Sequence, residues 1–283
     1  MPTWKGGPAA YTPRAMVTVL CPVRGCDAPL ERRERSWVCG RGHSFDIARS
    51  GYCNLLQPQD RRSKSPGDPR EVALARRRFL DAGHGDFLLE MLRKEMGEPD
   101  SVLDVGCGEG YFLGSLARGR EAHGVDLSVP AIDLAARRWP EVSWWVVNAD
   151  RALPFADGSF DLALSIAGRR PAAELLRVLR PEGRLLVAVP AEDDLIELRE
   201  AVQGEGVLRS RMEKVVEELS GFELEAHRVV RTTATLDPDA ARDALASTYR
   251  GARSSQREKV EGLGSLRVTL SFELARLIRI GPG

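Results

Sequence analysis

What this chain of 283 residues lacks narrows its function before any motif is read. No apolar run approaches the roughly 20 residues that a membrane-spanning helix needs. Residues 1–17 (MPTWKGGPAAYTPRAMV) are too broken by Gly, Pro and charge to form the apolar core of a secretion signal. They read as a loosely attached tail. The five cysteines, Cys21, Cys26, Cys39, Cys53 and Cys107, are an odd count without an export signal. This argues against a disulfide framework and for a reducing cytoplasm. There is no G-x-x-x-x-G-K-[ST], which removes the phosphate-cradling P-loop, and the one glycine-rich turn fails the dinucleotide spacing G-x-G-x-x-G because Tyr111 stands where the third glycine belongs.

Hydrophobic content of 43% and charged content of 29% are those of a globular protein with a sizeable core. The net charge of zero conceals a division. Residues 1–80 hold 15 Lys+Arg against 7 Asp+Glu, and the remainder holds 26 against 34. A basic module on an acidic body is what a polyanion-binding accessory domain looks like, although thiolate metal ligands would cancel part of that charge.

The chain is organised around Val102–Leu127, VLDVGCGEGYFLGSLARGREAHGVDL. Val102–Val105 has the composition of a buried parallel strand, and Gly106, Gly108 and Gly110 form a turn into a helix over Tyr111–Arg118. Glycines there let a ligand approach the backbone at the carboxyl ends of parallel strands. Asp126 closes the next strand, where an acid accepts hydrogen bonds from both hydroxyls of a ribose. Cys107, inside the turn, reads as a small packing residue.

A second pattern lies upstream. Cys21-x4-Cys26, a gap of twelve, and Cys39-x3-His43 form two knuckles whose spacing allows a tetrahedral zinc, with Gly25, Gly40 and Gly42 easing the turns. So small a segment has little core of its own, and a bound metal would largely hold it folded. Cys53 competes as a ligand but belongs to a strand-like apolar segment, Tyr52–Leu56, and is left out. Residues 57–70 are a polar linker whose Arg61, Arg62 and Lys64 are candidate phosphate contacts. Helices are predicted over Glu71–Leu80, Phe87–Met96, Ile132–Trp139, Ala172–Leu179, Asp194–Gln203, Arg209–Leu219 and Asp239–Tyr249. Strands are predicted over Val142–Asn148, Leu162–Ile166 and Leu185–Pro190, with a final antiparallel pair over Phe222–Thr233 and Leu266–Leu274. The three consecutive arginines Arg76, Arg77 and Arg78 cannot all face one way on a helix, so at least one turns to solvent or ligand.

Asp104, Gly106, Gly108 and Gly110 resemble motif I (D-x-G-x-G-x-G) of the class I S-adenosylmethionine-dependent methyltransferases, and Asp126 resembles their motif II acid. The zinc segment, followed by Gly51-Tyr52, Asn54-Leu55-Leu56, Pro66-Gly67-Asp68, Ala75-Arg76-Arg77, Phe79-Leu80 and Asp81-Ala82-Gly83-His84, is similar to the N-terminal half of the bacterial 23S ribosomal RNA guanine-N1-methyltransferases. The resemblance covers roughly residues 20–190. It implies an α/β fold: a class I methyltransferase Rossmann-like seven-stranded sheet with a small N-terminal zinc-ribbon domain. The expected divisions are a tail (1–17), a zinc-binding RNA-recognition module (18–56), a basic linker and helix (57–84) and the methyltransferase domain (85–283).

The resemblance also implies the ligands. S-adenosylmethionine would be held by Asp104, Gly106, Cys107, Gly108, Gly110, Tyr111, Asp126 and Leu127. Asp150 or Asn148 would meet the adenine, and His84 would lie near the methionine end. Zinc would be held by Cys21, Cys26, Cys39 and His43. The partner would be 23S ribosomal RNA, as a hairpin either free or in an assembling large subunit, with no membrane and with room for a homodimer. Methylation there would bear on sensitivity to antibiotics that bind the large subunit. The general base is not identified; Asp46, His84 and Asp150 are the candidates.

Three departures bear on the target. The family's C-x-x-C would put the second thiol at Arg24, whereas this chain has Cys26. The segment after the fourth strand, Ser165–Arg170, is short and arginine-bearing. Ser247-Thr248-Tyr249-Arg250 replaces the family's Met-Thr-Pro segment. These leave open a methyltransferase of the same architecture acting on a different acceptor, a small molecule or another RNA. A non-catalytic RNA-binding protein is a third reading, opposed by the intact motif I.

Overall fold

The computed structural model describes residues 16–60, 66–204, 211–247 and 262–280. The linker cations Arg61, Arg62 and Lys64, the segment 248–250 and most of the expected tail lie outside the described residues.

Chain order begins with three short antiparallel strands, β1 (Leu30–Arg32), β2 (Ser36–Cys39) and β3 (Ser44–Asp46), then β4 (Cys53–Asn54). Helix α1 (Arg70–Phe79), a π-type turn (Leu80–His84) and α2 (Asp86–Glu95) lead to β5 (Ser101–Val105), α3 (Tyr111–Leu116), β6 (Glu121–Asp126), α4 (Val129–Arg138) and β7 (Ser143–Val146). Then come β8 (Phe160–Ile166), α5 (Ala172–Val178), β9 (Leu179–Pro190), α6 (Ile196–Gln203), α7 (Met212–Glu218), β10 (Phe222–Leu236), α8 (Pro238–Ala246) and β11 (Leu266–Arg279).

The large sheet runs β10-β11-β9-β8-β5-β6-β7-β4. Its centre is parallel, and β5 is buried at all five positions, as a strand covered on both faces must be. β10 and β11 close the far edge as a long antiparallel pair. The seven expected strands are present, and an eighth extends them. Cys53–Asn54, from the zinc module, pairs in parallel with Trp145–Val146 of β7. It was legible as strand-like but not as part of this sheet.

Adjacent residues of β7 show how the two faces are filled, because successive side chains on a strand point to opposite sides. Trp144 packs with Tyr111, Ile132 and Ala135 under α3 and α4. Trp145 packs into the opposite cluster, which runs without a break from Val105, Val125 and Phe160 to Cys21, Cys26, Leu30 and Cys39 of the zinc module. Its ring centroid lies 5.1 Å from that of Trp37 on β2. The zinc module is therefore seated on the sheet and shares its core. A smaller third cluster joins α6, α8 and the ends of β10 and β11 (Leu198, Leu236, Leu245, Leu270), with Phe79 and Phe87 against it.

Local capping fixes the elements near the cleft. Ser128 caps α4 by accepting from the Ala131 amide at 3.2 Å, and its own hydroxyl donates to the Asp68 carbonyl at 2.6 Å. Gly67 is packed so tightly there that a Cβ would lie 2.5 Å from the Ser128 nitrogen. The start of α1 is thus pinned beside the end of β6. The arginine triplet of α1 diverges as helix geometry requires: Arg76 bonds Asp68, Arg77 lies 3.5 Å from Asp81, and Arg78 makes a fork onto Asp243 of α8 at 2.8 and 2.5 Å. Among the described residues, no helix is long and apolar enough to cross a membrane.

Candidate cofactor cleft and metal centre

The glycine turn is stitched to the end of β6. The amides of Gly106 and Cys107 both donate to the Val125 carbonyl, at 2.9 and 3.1 Å. The Gly108 amide donates to Asp126 Oδ2 at 3.0 Å, and the Ser128 amide to Asp126 Oδ1 at 2.7 Å. One amide thus holds each carboxylate oxygen, and each oxygen keeps a lone pair for a further donor such as a ribose hydroxyl. Gly106 has φ +81, and a Cβ there would stand 3.0 Å from Gly168 Cα, so the loop after β8 lies directly on the turn.

Three acids converge around this turn. Asp104 is 2% exposed and its Oδ1 has no hydrogen-bond partner; Glu109 is 3% exposed and its Oε2 has none either. Burial pushes Asp104 up to about 8, with Asp126 and Glu109 adding to the shift. Burial also pushes Glu109 up to about 7, against the pull of Arg76. Asp126 is raised by burial, though its two backbone hydrogen bonds oppose this. Buried, unpartnered carboxylate oxygens are costly unless something cationic or hydrogen-bonding completes them. A cationic donor such as S-adenosylmethionine fits that need. The pocket has the wrong sign for a phosphate.

The other expected cofactor residues divide. Cys107 is held far above the usual thiol range, first by burial and then by the neighbouring acids, and is unsuited to be a nucleophile. Gly110 faces inward: a Cβ there would lie 2.5 Å from Trp144 Cη2 and 2.9 Å from Ala135 Cβ. Tyr111 donates its hydroxyl to Asp86 Oδ1 at 2.5 Å, anchoring α3 to α2. Leu127 is half-buried against the α3–α4 side of the core. Asn148 spends its side-chain nitrogen on the Asp60 carbonyl at 2.8 Å and accepts from the Asp150 amide at 3.2 Å, which closes the turn after β7. Asp150 is bound by Arg169.

His84 sits in the π-type turn, its ring 4.5 Å from Phe79, and burial lowers its pKa against the opposing charge of Asp237. The next residue, Gly85, abuts Leu80, Tyr111 and Phe112, so this turn does border the start of α3. Asp46 lies on β3 of the zinc module. Glu109, Arg76 and Arg169 also border the turn and its flanking loops. Glu109 lies inside the glycine motif itself, and the arginine triplet was the one available signal for Arg76.

The metal centre assembles from both knuckles. The ligand atoms of Cys21, Cys26, Cys39 and His43 all lie within 4.8 Å of one another. The separations are 3.4 Å from Cys21 Sγ to His43 Nδ1, 3.8 Å from Cys26 Sγ to Cys39 Sγ, and 3.4 Å from Cys39 Sγ to His43 Nδ1. A tetrahedron with zinc–sulfur arms of about 2.3 Å has edges of about 3.8 Å, so the donor set and its size both suit zinc. The wide first knuckle closes through the Cys26 amide on the Val23 carbonyl at 2.9 Å, with Gly25 at φ +73. Arg41 then ties the knuckles together by donating to the Gly25 carbonyl at 2.8 Å. Cys53 stays outside, buried on β4, its thiol pushed up to about 12 by burial.

Comparison with known proteins agrees with this geometry. The methyltransferase-domain family matches residues 102–183, and the zinc-ribbon family described as RlmA, N-terminal, matches residues 19–64. The solved YcgJ protein of Bacillus subtilis shares the fold at TM-score 0.50 and 17% identity, over 69% of this chain and 98% of that one. The protein is a class I S-adenosylmethionine-dependent methyltransferase that carries a zinc ribbon.

Over 228 residues the chain is 39% identical to the 23S rRNA (guanine(748)-N(1))-methyltransferase of Streptomyces fradiae, covering 76% of this chain and 79% of that protein. It is 35% identical over 211 residues to a Micromonospora griseorubida protein provisionally named a 23S rRNA (guanine-N(1)-)-methyltransferase, covering 66% and 70%. The chain belongs to the 23S rRNA (guanine-N1)-methyltransferase family.

Proposed function

We propose that this enzyme methylates N1 of a guanine in a hairpin of 23S ribosomal RNA, in the cytoplasm, on RNA that is free or in an assembling large subunit. The observation that carries the reading is the seating of the Cys3His cluster on the methyltransferase sheet through one continuous core. In this reading the module holds the RNA, and the shared core keeps it at a fixed distance from the cleft. The division into module (18–56), linker and helix (57–84) and catalytic domain (85–283) belongs to the same proposal, as does a homodimeric state.

Bound S-adenosylmethionine supplies a methyl group on a cationic sulfur. The chain's residues do the rest. Asp126, oriented by the Gly108 and Ser128 amides, takes the ribose; Asp104 and Glu109 offer negative charge to the cationic end; Asp150 meets the adenine. Positioning does most of the work in such an in-line displacement. Guanine N1 becomes nucleophilic when its proton leaves, so a base within reach contributes. A paired guanine must first be splayed from its stack, which is what a hairpin-holding module serves.

The test is methylation of unmodified 23S RNA with labelled donor, followed by reverse transcription. Label on one guanine, with extension stopped there, is the expected result. Donor binding without label on RNA would move the acceptor to another molecule. The short arginine-bearing loop after β8 is the feature that favours that second reading.

A further inference from the structure

We propose that Arg76 is the ligand for the carboxylate of the methyl donor, and that through it the enzyme selects donors carrying an intact amino-acid end. The inference rests on the reading that the glycine turn and Asp126 hold the donor's nucleoside. S-adenosylmethionine brings a sulfonium, an ammonium and a carboxylate into one small volume. Asp104 and Glu109 are suited to the two cations, but together with Asp126 they would repel the carboxylate unless a cation stood among them.

Arg76 is that cation. It projects from α1, whose start is pinned to Ser128 through Asp68, and its guanidinium reaches the glycine turn. A Cβ at Gly108 would lie 3.2 Å from Arg76 Nη1, so the group roofs the bare backbone of that residue. Nη2 donates to Asp68 Oδ2 at 2.8 Å. Nη1 is 3.8 Å from Glu109 Oε2, near enough for attraction but too far for a hydrogen bond. Among the described residues, Nη1 has no hydrogen-bond acceptor, so this half of the fork is open at the edge of the cleft.

The neighbouring cations are committed elsewhere. Arg138 is bound to Asp81 and lies over the rings of Tyr111 and Trp139, and Arg169 is bound to Asp150. A planar guanidinium with fixed donors matches a carboxylate better than an ammonium does.

The test is calorimetric binding, with the full zinc-loaded chain, of two probes: S-adenosylmethionine and its decarboxylated analogue, which keeps the sulfonium and the ammonium. Wild type is expected to prefer the intact donor by roughly ten- to hundredfold, the value of a charge-assisted hydrogen-bond pair. Arg76→Gln should lose most of that preference while still binding the analogue, and Arg76→Lys should keep an intermediate preference. Comparing two probes on one variant cancels any general damage to the site. Should Arg76→Gln fail to fold, the preference of Arg76→Lys decides.

Equal weakening for both probes would overturn the inference and leave Arg76 as a counter-ion to Glu109. Equal affinity of wild type for both would also overturn it, with the nucleoside reading intact. If Asp126→Ala bound both probes as well as wild type does, the nucleoside reading itself would fall, and the inference with it.

Discussion

Arg169, on the loop after β8, holds the carboxylate of Asp150, on the loop after β7, with Nε 3.0 Å from Oδ1 and Nη2 on Oδ2. In the sheet, β5 and β6 lie between β8 and β7. The ion pair therefore spans the two strands whose ends carry the glycine turn and Asp126, and Gly168 passes over Gly106 on the way. If Asp150 takes the adenine, Arg169 competes for its oxygens, and reorienting the pair costs affinity. Exposed pairs are worth about 0–1 kcal/mol, so Arg169→Ala should tighten donor binding by up to about fivefold. Asp150→Ala should weaken it by roughly tenfold. Titration calorimetry reads both, and weaker binding in Arg169→Ala would make the arginine a donor contact instead.

The glycines of the motif serve different purposes. At Gly110 an added Cβ meets the rigid indole of Trp144 at 2.5 Å and a helix side chain at 2.9 Å, with φ +80. At Gly108 it meets the mobile end of Arg76 at 3.2 Å. Gly110→Ala should cost about 2–3 kcal/mol of stability, whereas Gly108→Ala should cost about 1 kcal/mol and lose donor affinity. Thermal melts beside donor titrations separate the two. A Gly110→Ala protein with unchanged melting temperature would contradict the packing under the turn.

These cases mark how far the sequence was readable. The turn and the metal knuckles were legible because each is built from residues a few positions apart, where spacing alone dictates geometry. The knuckle widened to Cys26 still closes, because Gly25 at φ +73 lets the extra residues turn back. What stayed hidden depends on partners far along the chain. Nothing local in Cys53–Asn54 says that it will join β7, and nothing local in Arg76 says that it will reach Glu109. Asn148 shows the same limit: its polarity is plain from the sequence, but its hydrogen bond to the carbonyl of Asp60, far back along the chain, is not.

Because the Trp37 ring on β2 packs at a tilt against Trp145 on β7, loss of the metal should be felt across the sheet. Chelation or Cys39→Ser should lower stability by at least about 3 kcal/mol, in one cooperative transition seen by calorimetry. Metal analysis should find one zinc per chain in wild type and in Cys53→Ala, and none in Cys26→Ala. A Cys26→Ala protein that kept its zinc would remove Cys26 from the ligand set, and two separate transitions would contradict the shared core.

The acids of the cleft predict opposite pH trends with and without donor. Asp104 is pushed up to about 8 and Glu109 up to about 7. An acid whose pKa is raised by folding keeps its proton in the native state. Its contribution to stability is full below the ordinary carboxylate pKa of about 4 and is lost as pH rises through 7 and 8. The donor-free melting temperature should therefore fall between about pH 6 and 8.5. A cationic donor favours the ionised carboxylates, so its affinity should rise over the same interval by about tenfold. Asp104→Asn should flatten the Asp104 share of both trends, and what remains in that variant includes the titration of the donor's own ammonium. Identical affinity profiles in wild type and Asp104→Asn would sink the role given to Asp104, because a carboxylate that ionises to meet a cation cannot leave binding indifferent to its proton.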